Sequence, residues 1–514
     1  MPSAAQARGY TAQVTSLPAP VGGLNLVDSL ANMPETDALV LENYIARGNS
    51  VELRRGYTQH ATGLVSDVKA LMPYNTAAGA KLFAAAGTSF FDVTTAGPVG
   101  AAVQTGLTNS IWEHVNVATA AGQFLYAFNG VDSPRIWNGT IWQTVTGVSA
   151  PIAITGVTTS TLAAGLLHQN RLWFLQKDTL VTWYLGVNSV GGAATAFDLR
   201  TVAKLGGSVI AFDTWTMDSG TGTDDNLVFI TSEGEVIVYA GTDPANFGTW
   251  SLRGIFRTGR PAGRRCTTKI RGDLLILSEG GVIALSQLMQ SGTERQSYIT
   301  YKIQPELQTF LTSGLGNFGF QILYFQQESL GILNVPESAT ITRQYVFDVT
   351  TQAWSKWTSL FSLCYAMFGG TPFFGQTGVA SKLWTADSDN TLAIRGEIKP
   401  AFSKFGYPLR KNQRRIRIYF SAQSPISFGL KINRDFENLA PTNISLSTQV
   451  GGTSLWGTAL WGTAVWGGVV AGGTSEVAVA KIGTYLTPYI ITQTKDLAVK
   501  LNGFDHVFEN GGFT

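Results

Sequence analysis

The sequence predicts an all-β protein built as a β-propeller, with about seven blade-like repeats, an N-terminal extension and a C-terminal β-sandwich-like region. One pattern, a Gly- or Asp-rich turn, an apolar strand, a second turn and a second apolar strand, returns seven times between about Val68 and Ala393. β-branched and aromatic residues are abundant in this stretch, as is typical of strands. Helical periodicity is nearly absent from it.

The repeats have the spacing of propeller blades. A blade buries its two faces only against neighbouring blades, so a series of such units closes into a ring around an axial channel. The alternative is that any large all-β protein shows strand pairs at loosely regular spacing, because turns recur about every 8–12 residues. The leading apolar residues of the repeats lie 43, 47, 55, 47, 58 and 51 residues apart, at Leu82, Leu125, Leu172, Leu227, Leu274, Ile332 and Leu383.

Three consecutive parts are expected along the chain. Residues 1–67 form an N-terminal extension or attachment segment, 68–399 the propeller, and 400–514 a C-terminal β-rich domain. In the first part, residues 33–43 begin with proline and acids and continue with apolar residues, which predicts a short helix. In the third part, alternation over residues 415–420 predicts a strand with one solvated face.

The composition describes a folded, turn-rich chain with few charges. The chain has 514 residues with 57 Gly and 13 Trp, only 14% of its residues are charged, and its net charge is +2. A charge this small excludes a strong global field for phosphate binding, so contact with DNA would be local or transient. Cys266 and Cys364 lack the spacing of a metal or redox site and are expected to be buried thiols.

A tryptophan repeat in the third part is a candidate interface. The segment 455–468, LWGTALWGTAVWGG, repeats every five residues, which matches neither the period of a helix nor that of a strand. A loop that inserts its tryptophans into a neighbouring subunit is one interpretation, since tryptophan is favoured at interfaces. A loop packed on its own domain is the other. The candidate residues are Trp456, Trp461 and Trp466.

Two clusters of basic residues are candidate contact surfaces. They could touch passing phosphates, bind an acidic face of a partner subunit, or form a solvated edge. The cluster in the propeller is expected to face a channel or partner and comprises Arg260, Arg264, Arg265, Lys269 and Arg271. The C-terminal cluster is a candidate interface together with the tryptophans and comprises Arg410, Lys411, Arg414 and Arg415.

The sequence offers little support for an enzyme. The acidic segment 212–225 resembles a calcium loop but lacks its register and its closing glutamate. The sialidase Asp-box occurs only as fragments such as WTADSD at 384–389, which weakens a glycosidase hypothesis. No nucleophile, zinc or nucleotide motif is present. We therefore expect no catalytic residues, no metal, no cofactor and no membrane-spanning segment.

Several blocks resemble structural tail proteins of short-tailed bacteriophages, in particular the tail nozzle or tail hub (tail tubular) family. The resemblance covers about three quarters of the chain, and its motifs are structural turns. The blocks are PVGGLNLVDSLANMPETDALVLENYI at 20–45, FNGVDSPRIWNGTI at 128–141, HQNRLWFLQKDTLVTWYL at 168–185, DDNLVFITSEGEVIVYAGTDP at 224–244, RTGRPAGRRC at 257–266 and the GDLLILSEGGVIALS that follows.

The resemblance implies a non-enzymatic virion protein. Such a protein forms a ring, commonly of six identical subunits, that contacts the tail adaptor and portal-proximal proteins and the fibres or spikes. It retains the packaged DNA, passes it with transient, non-specific contact during ejection, and is assembled in the host cytoplasm. The alternatives are a host-receptor or glycan-binding propeller, whose exposed tryptophans would stack on sugars, and a carbohydrate-active propeller enzyme.

Overall fold

A computed structural model describes residues 12–76, 79–218, 223–246, 248–291, 297–450 and 472–510. Most of these residues lie in strands, as the sequence predicts. The chain divides into two compact units. The propeller unit comprises residues 59–344 and 359–383, and the sandwich unit comprises residues 1–58, 345–358 and 384–514.

The strands of the first half of the chain are short apart from β6. They are β1 (Gln13–Pro18), β2 (Gly23–Leu24), β3 (Asp37–Glu42), β4 (Tyr44–Arg47), β5 (Ser50–Leu53), β6 (Tyr57–Thr76), β7 (Gly79–Ala86), β8 (Ser89–Asp92), β9 (Gly97–Pro98), β10 (Glu113–Thr119), β11 (Gly122–Phe128), β12 (Arg135–Trp137), β13 (Trp142–Thr144), β14 (Ile154–Thr155), β15 (Leu162–His168), β16 (Arg171–Gln176), β17 (Val181–Val187), β18 (Gly192–Ala193), β19 (Thr195–Asp198), β20 (Val209–Asp218), β21 (Thr223–Thr231), β22 (Glu235–Gly241) and β23 (Trp250–Arg257).

The second half adds two helices, α1 (Leu285–Ser291) and α2 (Gln304–Gly314). Its strands are β24 (Thr267–Ile270), β25 (Asp273–Ser278), β26 (Gly281–Ala284), β27 (Gln321–Phe325), β28 (Leu330–Pro336), β29 (Thr342–Asp348), β30 (Trp354–Trp357), β31 (Cys364–Phe368), β32 (Thr371–Leu383), β33 (Ile394–Pro400), β34 (Lys411–Ala422), β35 (Ser427–Arg434), β36 (Leu446–Ser447), β37 (Gln449–Val450), β38 (Gly472–Gly483), β39 (Leu486–Thr494) and β40 (Val499–Asn510).

The propeller unit is a series of small antiparallel sheets whose strands follow one another along the chain. The first sheet contains the second half of β6 with β7 and β8. The next three sheets are β10–β13, then β15–β17 with β19, then β20–β23. The fifth is β24–β26, and the sixth begins with β27 and β28. The seventh joins β31 and β32 to the first half of β6, where β9 also pairs.

The first, second and third sheets each pack on both of their neighbours, which is what defines propeller blades. In β11, Leu125 and Ala127 pack into a cluster with the first sheet, whereas Tyr126 and Phe128 pack into a cluster with the third. Because side chains alternate between the faces of a strand, both faces of this sheet are buried. The same alternation occurs in β7 and β16. The predicted β-propeller with about seven blade-like repeats is therefore confirmed.

The ring closes by pairing the end of the propeller sequence with its beginning. The seventh sheet places β32 beside β6, so the last hairpin and the first strand share one sheet. Gly375 lies at this junction, and a Cβ there would overlap the Val68 carbonyl oxygen and lie 2.8 Å from Cys364 Sγ. The first strands of successive sheets, β10, β15, β20, β24, β27 and β31, contact one another in that order and surround the axis.

Six of the predicted repeat anchors lie in the second strand of their sheets: Leu82, Leu125, Leu172, Leu227, Leu274 and Ile332. The seventh, Leu383, is the last residue of β32. The rest of its motif belongs to the sandwich unit, so this repeat is placed too late in the sequence.

The sandwich unit contains two sheets contributed by both ends of the chain. One sheet has the order β37-β38-β34-β40-β5-β4, with β1 also paired to β40. The other runs β30-β3-β33-β39-β35-β36, with β2 beside β3. They pack face to face, for example where the Tyr44 hydroxyl lies 2.8 Å from Thr492 Oγ1. Residues 12–58 therefore share a unit with the C-terminal strands, unlike the three consecutive parts expected from the sequence.

The helix predicted at residues 33–43 is wrong. Residues 37–42 form β3, which pairs with β33 from Ala38 opposite Pro400 to Glu42 opposite Glu397. The apolar run of this segment is buried between other strands, and that tertiary pairing decides its structure over its local helix signals. The strand predicted at residues 415–420 is confirmed as part of β34, with Ile416, Ile418 and Phe420 buried.

Candidate functional site

The basic segment predicted in the propeller lies at the axis. Arg264 and Arg265 precede β24, the first strand of the fifth sheet. Buried Ala262 and Cys266 fix the backbone on either side of the two arginines. Cys266 is a buried free thiol, as predicted, and burial raises its pKa to about 12. The segment thus projects its arginines from a rigid position.

Arg265 spans the axis of the propeller. Its Nε lies 3.0 Å from Glu113 Oε1, and Glu113 begins β10 of the second sheet. Its two terminal nitrogens donate to the carbonyl oxygens of Lys69, at 3.0 Å, and Trp112, at 2.9 Å. Sheets two and five are not neighbours in a ring of seven. Arg265 therefore joins opposite inner walls, and its charge is already neutralised.

Lys269 is neutralised in a similar way. Its Nζ lies 3.2 Å from Asp213 Oδ1 and is hydrogen-bonded to Thr214 Oγ1. Thr267 Oγ1 donates to the other carboxylate oxygen of Asp213 at 2.9 Å. These contacts connect β24 to β20, the first strand of the preceding sheet. The carboxylate from the acidic segment thus serves as an ion-pair partner at the axis.

Beside Arg265 lies a cleft of about 190 Å³, which we call the Phe318 cleft. The Phe318 ring faces two cations, with Arg265 Cζ at 5.5 Å and Lys69 Nζ at 5.8 Å from its centroid. Distances of this order allow cation–π attraction. The lining residues that matter most are Ile111, Glu113, Arg264, Arg265, Phe318 and Phe320.

Arg264 differs from the other cations of this cleft. It is half-buried, and no described atom accepts a hydrogen bond from its guanidinium. Burial lowers the pKa of Arg264, while the carboxylates of Glu113 and Asp178 act in the opposite direction. Burial also lowers the pKa of nearby His114 to about 4, and the positive charge of Arg265 adds to this effect. His114 is therefore neutral at pH 7. Arg264 is thus the positively charged side chain of the cleft that has no hydrogen-bond acceptor among the described atoms.

The other two residues of the predicted cluster, Arg260 and Arg271, are exposed. Arg271 lies in the turn between β24 and β25 with a φ of 52°. The five residues thus form no continuous basic surface: two are paired at the axis, one lines a cleft, and two face solvent. This placement does not fit a common role in contacting DNA.

The C-terminal basic cluster also separates. Lys411 is buried, and its Nζ donates to the carbonyl oxygens of Tyr407, Leu409 and Thr484 at 2.7, 2.8 and 3.2 Å. It holds loops of the sandwich unit together and is not available to a partner, contrary to the sequence-based assignment. Burial lowers the pKa of Lys411 to about 8, with an opposing influence from Asp435.

The remaining members of this cluster lie at the surface of the sandwich unit. Arg414 pairs with Glu509 and Arg415 with Glu476, each at 2.9 Å. Arg410 is exposed. Exposed pairs of this kind contribute little to stability and can exchange partners. The tryptophans of the repeat, Trp456, Trp461 and Trp466, lie outside the described residues.

Sequence reasoning missed the groups that complete the Phe318 cleft. Glu113 is the acidic residue of SIWEHVNV. Its position at the start of a strand is the feature that could have indicated a partner for a basic residue at the axis. Phe318 lies between Asn317 and Gly319 in GNFGF, just before β27. Within the described part of the chain, no group of three His, Cys, Asp or Glu side chains is arranged to hold a metal ion.

No protein-family model and no curated protein matches this chain. Among solved structures, the chain is similar to YCF48 bound to D1 peptide, with 12% identity, a TM-score of 0.36, and coverage of 69% of this chain and 99% of that one. It is also similar to YCF48 from Cyanidioschyzon merolae, with 11% identity, a TM-score of 0.38, and coverage of 64% and 98%.

A further similarity is to BBS1N in complex with ARL6DN, with 8% identity, a TM-score of 0.39, and coverage of 64% of this chain and 96% of that one. Likenesses this distant do not bear on function. The assignment of the propeller rests on its sheet order and inter-sheet packing. None of the helices in the described ranges is long and apolar enough to span a membrane.

Proposed function

We propose that this chain is a non-enzymatic structural protein of a short-tailed phage tail, and that a ring of its copies forms the nozzle or hub. The resemblance of its sequence blocks to that family is one support. The other, which carries the physical case, is the cross-axis contact made by Arg265. It makes the propeller a solid building block and leaves the conduit to the space between subunits.

The dimensions at the axis support this division of roles. Arg265 joins opposite inner walls through bonds of 2.9 to 3.0 Å. The major groove of B-DNA alone is about 12 Å wide, so no duplex passes this level of the propeller. DNA that the protein conducts must therefore travel through a lumen formed by several copies. The ring, commonly of six subunits in the resembling family, supplies that lumen.

The partners follow from the same role. The ring would contact the tail adaptor and portal-proximal proteins on one side and fibres or spikes on the other, with transient, non-specific contact to DNA. It would be assembled in the host cytoplasm and reside in the virion. Such a protein needs surfaces that bind proteins and needs no cofactor.

The proposal is tested by removing the protein from virions and by examining it alone. Virions produced without this chain should lack the distal end of the tail in cryo-electron micrographs and should lose their DNA. The purified chain, alone or with its adaptor, should form rings whose lumen lies outside the propeller axes. Complete tails that retain DNA in its absence would refute the proposal.

A further inference from the structure

The Phe318 cleft combines apolar walls with a guanidinium, that of Arg264, for which no described atom accepts a hydrogen bond. Arg265 pairs with Glu113 at 3.0 Å, and Lys69 lies 3.9 Å from Asp67. Arg264 donates no hydrogen bond to a described atom, although it is partly removed from water. A cation in this state gains from an incoming acceptor, because part of its hydration has already been lost in the folded protein.

We propose that the Phe318 cleft binds an aspartate or glutamate side chain presented by another protein of the assembly, with Arg264 as the residue that pairs with its carboxylate. A guanidinium offers two parallel N–H donors that match the two oxygens of a carboxylate. Ile111, Phe318 and Phe320 supply apolar surface for the aliphatic stem of the acidic residue and for its neighbours.

The size of the cleft favours a side chain over a small molecule. Its volume of about 190 Å³ lies below the ~300–1,000 Å³ of typical small-molecule sites. Arginine beside an aromatic residue in a partly desolvated pocket is also the composition of interface hot spots. The cleft therefore has the features of a pocket for one anchoring residue of a protein partner.

The charge distribution disfavours nucleic acid at this site. Non-specific binding to a duplex depends on several cations that each neutralise one phosphate. Here the charge of Arg265 is already paired with that of Glu113, so the cleft offers one guanidinium and not a series of cations. One available guanidinium in a narrow cleft suits a single carboxylate. The identity of the assembly that contains the partner rests on the proposed function. The chemistry of the partner is inferred from the cleft alone.

The test uses the full chain and a library of displayed random heptapeptides. Selection on the wild-type protein, after depletion on the variant Arg264→Gln, should enrich peptides that carry Asp or Glu next to an apolar residue. The best peptide is then synthesised with its acid intact and with Glu→Gln or Asp→Asn. The acidic form should bind at least tenfold more tightly than the amide form, measured by fluorescence anisotropy.

Matched variants locate the binding. Arg264→Gln should weaken binding at least tenfold, Arg264→Lys should retain part of it, and Arg260→Gln, an exposed arginine of the same segment, should change it less than twofold. Thermal unfolding checks that each variant is folded. The inference is overturned if selected peptides show no acidic bias, if acid and amide forms bind alike, or if Arg260→Gln weakens binding as much as Arg264→Gln.

Two further measurements separate the possible failures. A 24-base-pair duplex should not displace the acidic peptide, and displacement that depends on Arg264 would identify a phosphate site and overturn the proposal. Negative-stain imaging of Arg264→Gln should still show rings. Rings without any acidic peptide binding would refute this inference and leave the proposed function standing. Peptide binding by a chain that forms no rings, alone or with its adaptor, would refute only the proposed function.

Discussion

At the scale of single residues, the most consequential side chain of the sandwich unit is Arg54. It is fully buried, and its terminal nitrogens donate to the two carboxylate oxygens of Asp389 at 2.8 and 2.6 Å. Its Nε donates to Asn43 Oδ1 at 2.8 Å. The bonds to Asp389 join residues that are 335 positions apart in sequence. Sequence reasoning could not single out this arginine, because its partner is defined only by the fold.

Replacing Arg54 should destabilise the protein strongly. Arg54→Met leaves the Asp389 carboxylate buried and unpaired, and we expect the free energy of unfolding to fall by about 3–5 kcal/mol. The matched control is Arg55→Met, because Arg55 is 46% exposed and pairs with Asp387 at 3.4 Å. That change should cost less than about 1 kcal/mol. Urea denaturation measures both, and equal effects would show that the buried pair is not a stabilising centre.

A buried histidine makes the same unit sensitive to acid. His506 is fully buried, accepts a hydrogen bond from Gln413 Nε2 at its Nδ1, and stacks near Phe405. Burial lowers the pKa of His506 to about 3, against an opposing influence from Asp505. An unfolded histidine has a pKa of about 6.5. Between these values the unfolded chain binds more protons, so stability falls as the pH falls from 6.5 toward 3.

For this one group, the free energy of unfolding should fall by about 1.4 kcal/mol for each pH unit within that window. His506→Asn removes the titration, while its amide oxygen can still accept from Gln413. The variant should therefore lose less stability than the wild type between pH 6.5 and 4, in denaturation curves recorded at each pH. A comparison at pH 8 gives the direct cost of the substitution. Parallel pH profiles for the two proteins would contradict this assignment.

At the scale of elements, the closure of the propeller depends on a close approach between β6 and β32. Gly375→Ala should disturb it, since the new Cβ would overlap the Val68 carbonyl oxygen and crowd Cys364 Sγ. We expect a loss of about 1–3 kcal/mol or more and faster hydrogen exchange in β6 and β32. Gly100→Ala is the control, because its Cβ would meet open space. Unchanged exchange in Gly375→Ala would mean that the ring does not close through this pair.

The elements also show what a single sequence can predict. The repeated pattern of turns and apolar runs located the second strands of six sheets, because both faces of those strands are buried and the pattern is local. It did not locate β3, whose pairing with β33 is set by a segment more than 350 residues away. Helix α2 was missed as well. Its buried positions before Gly314 are Gln304, Leu307 and Leu311. Only two of these are apolar, so the helical pattern in the sequence is weak beside the surrounding strand pattern.

The candidate site was predictable only in part, for the same reason. The sequence marked Arg264 and Arg265 as a basic cluster, but it could not show that Glu113 would neutralise one of them. That pairing joins residues 152 positions apart. Lys411 illustrates the opposite error, since a lysine in a basic run is usually solvated, yet here three carbonyl groups hold it inside. A basic run in a sequence therefore indicates a basic surface only where the fold does not bury or neutralise those side chains.

At the scale of the whole molecule, the proposed role as a wall of a DNA conduit favours few unpaired cations at the surface that faces the DNA. Of the basic residues in the propeller segment, Arg260 and Arg271 are exposed without an ion pair to a described residue, whereas Arg265 and Lys269 are paired. Each cation that neutralises a phosphate strengthens the binding of DNA and steepens the slope of log K against log salt by about 0.9. A lumen built from subunits with few such cations would therefore let DNA slide.

This gives a measurable expectation for binding of a 24-base-pair duplex. The slope of log K against log salt should be shallow, because each exposed, unpaired cation that contacts a phosphate contributes only about −0.9 to it. Arg260→Gln combined with Arg271→Gln should make the slope shallower by up to about 2, whereas Lys269→Gln should leave it unchanged, because that charge is paired with Asp213. A slope near −10 per chain, or one lowered by Lys269→Gln, would describe a protein that grips DNA, which a conduit for rapid ejection cannot do.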